Sequence, residues 1–372
     1  MAARKQAGLV VDRDVLTKAL AKAKMATESK STAPLLDCVL LQQQDKQLKV
    51  SATTLYVSLE VTLSVEPNGA DLSLCVDAKK LYEATKAMPE GFVRLREEAK
   101  VLLVEHVTSK RSFKLRALPP AEYPSIPRSL PTSQGFSVET PFLLQAIADV
   151  ERALSDDVSN PAKNSMLIET LDNETRLVAT DGHRMHITIL ENARTPNRTV
   201  VPKAGVLLIR GAVEGSPRVE VRREGASVFF DATGTVLSVK LVGDDVFPNY
   251  QHIVPKRGPV EMGVNARELL DAVKAVGLMS SEKSGGVKFE MEEGKLLVSA
   301  EDGEGKGGSK DEVAADYKGP KNSFEVNAKY VIDALAPLDG ERVEIGASGP
   351  LDPVSFSSGT YRAIVMPIRP TS

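Results

Sequence analysis

The sequence predicts an α+β chain of three repeated domains, each with two helices laid on antiparallel sheet. Three observations predict it. One amphipathic helix pattern starts three times, at intervals of about 127 residues. A second helix pattern follows each of these, its own starts about 125 residues apart, and runs every time into an arginine-containing strand. Between the helices lie alternating, β-branched runs broken by short polar turns. Coincidence is a poor explanation for two helix types recurring in register. The repeat sets the domains at 1–128, 129–256 and 257–372.

The first domain opens with "DRDVLTKALAKAKMAT", where Val15, Leu16, Ala19, Leu20 and Ala23 share a stripe while Lys18 and Lys22 share another face. Strands follow in "LDCVLLQQQDKQLKVSATTLYVSLEVTLSV". The second helix begins at Asp77 in "DAKKLYEATKAM" and leads into "FVRLRE". The second domain repeats this order: "ETPFLLQAIADVERAL", with Thr140 as N-cap and Pro141 as first helical residue, then "SMLIETLDNETRLVATDGHRMHITIL". Its second helix, "PKAGVLLIRGAV" from Pro202, leads into "PRVEVRRE". The third has "NARELLDAVKAVGLMS", capped by Asn265 with Leu269, Val273 and Val276 as its stripe, then "VKFEMEEGKLLVSAEDGEG". "NAKYVIDALAPL" from Asn327 then leads into "ERVEIGAS". Turns such as "DNET" and "EEGK" suit hairpins, so the sheets are antiparallel.

Composition narrows the function classes. Apolar residues at 42% and charged residues at 26% describe a globular chain, and no apolar run nears the roughly 20 residues that span a bilayer. "MAARKQAG" lacks the apolar core of a signal peptide, which points to the cytoplasm. Cys38 and Cys75 sit in strand-like runs with no zinc-type ligands at suitable spacing, and read as buried thiols. A net charge of −3 excludes polyanion binding by bulk charge but not by a local basic face. The absence of tryptophan weakens base stacking as a role.

Helix cations are numerous: Lys18, Lys22, Lys79, Lys80, Lys86, Arg152, Lys203, Arg210, Lys274 and Lys329. Each alone is an ordinary solvated helix face. Together, on repeats packed end to end with strands pairing across the junctions, they would line one side of an arc. An arc with unlike ends closes with a second copy into a ring.

"LVATDGHRMHITIL", residues 177–190, concentrates Asp181, His183, Arg184 and His186 in one apolar stretch. A hydrolase would need a nucleophile, and no serine stands in a G-x-S-x-G context. A metal site from His183 and His186 fails because strand residues three apart face opposite sides. "GEGKGG", 303–308, formally fits G-x-G-x-x-G, yet no amphipathic helix follows, so it reads as a hairpin loop. No catalytic residue, metal or cofactor is expected.

"ATDGHRM" (179–185), "LPPAEYPSIP" (118–127), "KLVGDDVFPNY" (240–250) and "VMPIRP" (365–370) together resemble the bacterial DNA polymerase III beta subunits, the replicative sliding clamps, over essentially the whole chain. The resemblance implies a head-to-tail homodimer of six clamp-type domains around duplex DNA, each chain half of a closed ring, with helices lining the channel. It implies a non-enzymatic, nucleoid-associated processivity factor that tethers the polymerase III alpha subunit, the clamp loader and repair polymerases. Lys30, and more weakly Lys203, are carried over as DNA contacts.

The same resemblance makes "ATDGHRM" part of a groove for linear motifs of the Gln-Leu-x-Leu-Phe type. Thr180, Gly182, His183, Arg184 and Met185 would line it, with Pro248 and Ile253 from the second domain's closing turn. Asn327, Tyr330, Leu351, Ile364, Met366, Pro367, Ile368 and Arg369 would complete it from the third domain. Ring closure would join Lys110, Arg111, Phe113 and Leu115 to Leu278, Met279, Glu301 and Glu304 of a second copy. Three departures bear on partner choice: Lys163 where the family commonly has an apolar residue, His252 where an arginine is common, and a Pro-Thr-Ser tail after Arg369. A duplicated clamp serving repair or antibiotic resistance is the alternative role.

Overall fold

The computed structural model describes residues 8–28, 33–66, 72–130, 133–195, 198–255, 261–302, 307–338 and 340–369. The first repeat holds β1 (Leu9–Asp12), α1 (Arg13–Ala23), β2 (Cys38–Gln44), β3 (Gln47–Thr53), β4 (Val57–Ser64), β5 (Ser73–Asp77), α2 (Ala78–Lys86), β6 (Phe92–Glu98), β7 (Val101–His106) and β8 (Ser112–Leu118). The second holds β9 (Gly135–Glu139), α3 (Thr140–Glu151), β10 (Ser165–Leu171), β11 (Glu174–Thr180), β12 (Arg184–Leu190), β13 (Thr199–Pro202), α4 (Lys203–Val213), β14 (Arg218–Glu224), β15 (Ser227–Ala232) and β16 (Thr235–Lys240). The third holds β17 (Glu261–Asn265), α5 (Ala266–Gly277), β18 (Gly286–Glu292), β19 (Lys295–Glu301), β20 (Gly308–Asp316), β21 (Asn322–Asn327), α6 (Ala328–Leu335), β22 (Arg342–Gly346), β23 (Val354–Ser358) and β24 (Tyr361–Val365). Helices and strands recur in one order three times.

The chain divides into two compact units, Met1–Thr140 with Ala204–Leu241, and Pro141–Lys203 with Val242–Ser372. Each contains one 12-stranded sheet. The first runs β1-β6-β7-β8-β5-β2-β3-β4-β16-β15-β14-β9, the second β13-β10-β11-β12-β24-β23-β22-β17-β20-β19-β18-β21. The strands of the middle repeat are shared between them, so each sheet crosses one repeat junction: β16 on β4 with Leu237 opposite Leu59, and β24 on β12 with Ile364 opposite Met185. The ladders are antiparallel, as the hairpin turns predict. In "DNET", Leu171 faces Glu174 across Asp172 and Asn173, whose φ values of 51° and 69° are those of a two-residue primed turn.

Local chemistry explains where the helices begin. Asp12 Oδ1 accepts the amides of Asp14 at 2.8 Å and Val15 at 3.1 Å; Asp77, Asn265 and Asn327 cap α2, α5 and α6 in the same way. Such a cap contributes about 1 kcal/mol. Thr140 departs from its expected role. It is the first residue of α3, and its buried hydroxyl has no hydrogen-bond partner among the described residues. The α1 stripe is also narrower than expected, because Leu16, Ala19, Leu20 and Ala23 are buried while Val15 is exposed.

In the third repeat the apolar faces of α5 and α6, including Leu269, Val273, Val276, Val331 and Leu335, join a core in which Phe289 and Phe324 stack at 5.3 Å. In the first, Cys38 and Cys75 are buried free thiols, pushed up to about 11 and about 12 chiefly by burial. Lys22 is no plain solvated cation: its Nζ donates to the carbonyls of Ala212 at 3.0 Å and Glu214 at 2.9 Å, neutralising the carbonyl end of α4. Among the described residues no helix is long and apolar enough to cross a membrane.

Candidate functional site

Residues 180–185 form a tight turn into β12, held by their own side chains. Thr180 Oγ1 donates to the Arg184 carbonyl at 2.7 Å and accepts the Gly182 amide at 3.1 Å. Asp181 Oδ1 accepts the amides of His183 at 2.9 Å and Arg184 at 3.0 Å. Gly182 takes φ +90°, a conformation that side chains disfavour. The consequence is an exposed His183 on a rigid loop.

Arg184 fixes that loop to α6. Its Nε donates to Asp181 Oδ2 at 3.1 Å, its Nη1 to Asp333, and its guanidinium lies 4.7 Å from the Tyr330 ring centroid. His183 stacks on the same ring at 6.3 Å with 14° between planes. Asp333 also receives Arg152 Nη1 at 3.3 Å. Asp181 is therefore spent on the turn and on Arg184, not free to orient a base.

His186 lies on the opposite side of β12, fully buried, with Nδ1 3.0 Å from the Asp149 carbonyl and 3.2 Å from the Tyr361 hydroxyl. The two histidines share no ligand geometry, and no cluster of three or more His, Cys, Asp or Glu suited to a metal occurs among the described residues. Burial pushes the His186 imidazole down to about 4. The unfolded chain takes up that proton near an ordinary pKa of about 6.5. His186 therefore contributes stability above pH 6.5 that is lost as pH falls from about 6.5 to 4. Between pH 7 and pH 5 this amounts to about 2 kcal/mol. Urea titrations at both pH values should show that loss in the wild type and a smaller one in His186→Gln; equal losses would contradict the assignment.

Beside this loop an apolar floor is assembled. Met185 and Ile364, opposite each other on β12 and β24, are buried in one cluster with Phe247, Tyr250 and Ile187. Phe247 and Tyr250 anchor the turn 247–254, which leaves Pro248 exposed and Ile253 47% exposed. The amide of Met366 donates to the His183 carbonyl at 2.9 Å, while its side chain stays 39% exposed. The amide of Ile368 donates to the Glu325 carbonyl at 2.7 Å, which leaves Pro367 and Ile368 half-buried and Arg369 exposed. On the same face of β12, Ile187, Ile189, Tyr250, Arg176 and Arg362 line a cavity of about 550 Å³.

The structure thus gathers Thr180, Gly182, His183, Arg184, Met185, Tyr330, Ile364 and Met366, with Pro248 and Ile253 on the anchored turn. Asn327 is engaged elsewhere: it caps α6 and donates from Nδ2 to the Ser284 carbonyl at 2.9 Å. Leu351 stands 56% exposed on the turn before β23. Sequence reasoning missed Asp333, although its place three residues after Tyr330 puts both on one helix face.

Of the two expected DNA contacts, Lys30 lies outside the described residues. Lys203 has internal partners instead: its Nζ donates to the carbonyls of Leu154 and Ser155 and pairs with Asp156 at 2.6 Å. Lys18, Lys79, Lys80, Lys86, Arg210, Lys274 and Lys329 are exposed on their helices. Phe113 and Leu115 are half-buried on β8, next to exposed Lys110, Arg111 and Lys114. Leu278 is 84% and Met279 38% exposed, Glu301 is exposed at the end of β19, and Glu304 and residues 303–306 of the Gly-rich loop lie outside the described residues. So does the tail 370–372.

Models of the DNA polymerase III beta subunit match the chain with the N-terminal domain over residues 8–127, the central domain over 137–249 and the C-terminal domain over 251–369. The beta sliding clamp of Pseudomonas putida is 26% identical over 369 residues, covering 96% of this chain and 99% of its own. That of Pseudomonas aeruginosa is 28% identical over 339 residues, 90% of this chain and 91% of its own. A crystal structure of the P. aeruginosa sliding clamp with ligand superposes with a TM-score of 0.89 at 26% identity, covering 98% of this chain and 100% of that one. The C. crescentus beta sliding clamp gives 0.90 at 25% identity, covering 98% and 99%. Since all three domains of that subunit recur here in order and along nearly the full length, the chain belongs to the DNA polymerase III beta subunit family, the bacterial sliding clamps.

Proposed function

We propose that two copies of this chain, each of three domains bounded at 1–128, 129–256 and 257–372, close head to tail around duplex DNA. The ring is a processivity factor without catalysis of its own. It tethers the polymerase III alpha subunit, the clamp loader and repair polymerases through the surface around "ATDGHRM", and works in the cytoplasm on the nucleoid.

The observation that carries ring closure is strand equivalence. By position in their repeats β8, β16 and β24 correspond, as do β4, β12 and β20. Two of the three possible junctions are made within the chain, β16 on β4 and β24 on β12. The equivalents left over are β8 and β20, and among the described residues each has an open edge. β8 pairs with β7 from Ser112 to Arg116 but reaches β5 only at Ala117 and Leu118; β20 pairs with β19 from Gly308 to Ala314 but reaches β17 only at Ala315 and Asp316. An open edge is a template for another strand, and β8 of one copy on β20 of the next satisfies both. Charge agrees in sign, with Lys110, Arg111, Lys114 and Arg116 facing Asp311, Glu312, Glu301 and Asp302.

Retention by encirclement needs few phosphate contacts, which reconciles DNA function with a net charge of −3. The exposed helix cations supply a weak, sequence-independent field that centres the duplex. For the groove, adaptable Met366 and the apolar floor suit leucine and aromatic side chains of many partners. Fluorescence anisotropy of a labelled Gln-Leu-x-Leu-Phe peptide should saturate with wild-type protein. Met366→Ala should weaken binding about tenfold or more. Absence of saturable binding, or an unchanged affinity in the variant, would remove the groove from the proposal.

A further inference from the structure

A cation lies against the turn that presents His183. A methyl group placed at Gly182 would meet Lys163 Nζ at 2.8 Å and Cε at 3.0 Å, so the lysine side chain lies directly over the glycine. The stem is half-buried, and among the described residues the ammonium has no hydrogen bond or ion pair. Asp156 pairs with Lys203, Asp181 with Arg184 and the turn amides, and Asp157 accepts the amide and hydroxyl of Ser159 at 2.9 and 2.6 Å. Its bonds with Ser159, with the Lys163 charge added, hold the Asp157 carboxyl below the usual range, but Asp157 and Lys163 make no ion pair. The local backbone is fixed as well: the Lys163 amide donates to the Asn160 carbonyl, and its carbonyl accepts the amide of Ser155.

We propose that Lys163 makes this groove selective for partner segments that carry an aspartate or glutamate where they pass the turn at Gly182. A lysine whose side chain already lies against the turn loses little freedom when a carboxylate arrives, and the bond it forms is charge-assisted. The inference rests on the groove reading above and narrows its partners to acidic linear segments.

The test uses two labelled peptides of the Gln-Leu-x-Leu-Phe type, one with aspartate at x and glutamate before the glutamine, the other with asparagine and glutamine there. Wild-type protein should bind the acidic peptide about tenfold more tightly at low salt, with the advantage shrinking as salt rises. Lys163→Met should abolish the advantage and hold the neutral peptide within about twofold of wild type. Equal binding of both peptides by wild type, or an advantage that survives Lys163→Met, overturns the selectivity alone. Failure of both peptides to bind overturns the groove and this inference with it.

Discussion

Replacing Phe113 and Leu115 together with glutamate should leave each chain folded and split the dimer. Both side chains are half-buried on the open edge of β8, so closure removes their remaining apolar surface from water. Fully burying a large apolar side chain is worth about 1.5–3 kcal/mol, so the remaining half of these two gives about 1.5–3 kcal/mol at each closing junction and about 3–6 kcal/mol over the two junctions of a two-chain ring. That corresponds to roughly 10²- to 10⁴-fold in the dimer dissociation constant. In the proposed ring the new carboxylates would also approach Asp311 and Glu312 of β20, adding repulsion. Sedimentation velocity should show monomers at concentrations where the wild type is dimeric. Peptide affinity should be unchanged, because the groove residues belong to the other compact unit. An unaltered sedimentation profile would show that β8 is not the closing edge.

The second large effect belongs to Arg184. Its side chain is 8% exposed, between carboxylates that are 16% and 14% exposed, and it carries the aromatic stack of Tyr330. Breaking a buried pair by removing one partner costs about 3–5 kcal/mol. Arg184→Met should fall near the lower figure, since Asp333 keeps Arg152 and Asp181 keeps the turn amides. Arg184→Lys should recover little, because an ammonium cannot reproduce the fork that spans two acids and a ring. Both variants should lower the urea midpoint and weaken motif-peptide binding, as the loop carrying His183 comes away from α6. A wild-type midpoint with wild-type affinity in Arg184→Met would refute that bracing role.

Much of the fold was legible because its signals are local. Caps at Asp77, Asn265 and Asn327, the Asp-Asn hairpin and the recurring helix patterns each depend on residues a few positions apart. The groove residues came from the family resemblance and not from such local signals, although Thr180, Asp181 and Gly182 do build their turn from within. What the sequence withheld depends on partners far along the chain. Asp333 reaches Arg184 across 149 positions, and Lys22 reaches Ala212 across 190. Lys203 shows the same dependence: at the head of a helix it has the look of a phosphate contact, and the fold ties its Nζ to the carbonyls of Leu154 and Ser155, just past α3, and to Asp156. The open edge of β20 was equally hidden, because which ladder stops short is decided by pairing and not by composition.

If DNA is held by encirclement, retention survives high salt but not a cut in the duplex. Protein should be threaded onto linear duplex, both ends blocked with bulky protein caps, and the mixture gel-filtered in high salt before and after restriction cleavage between the caps. The wild type should travel with the capped duplex in high salt and be released by the cut, while the Phe113 and Leu115 double variant should never be retained. Binding that disappears in high salt whether or not the duplex is cut would mean ordinary electrostatic contact, and would contradict the ring.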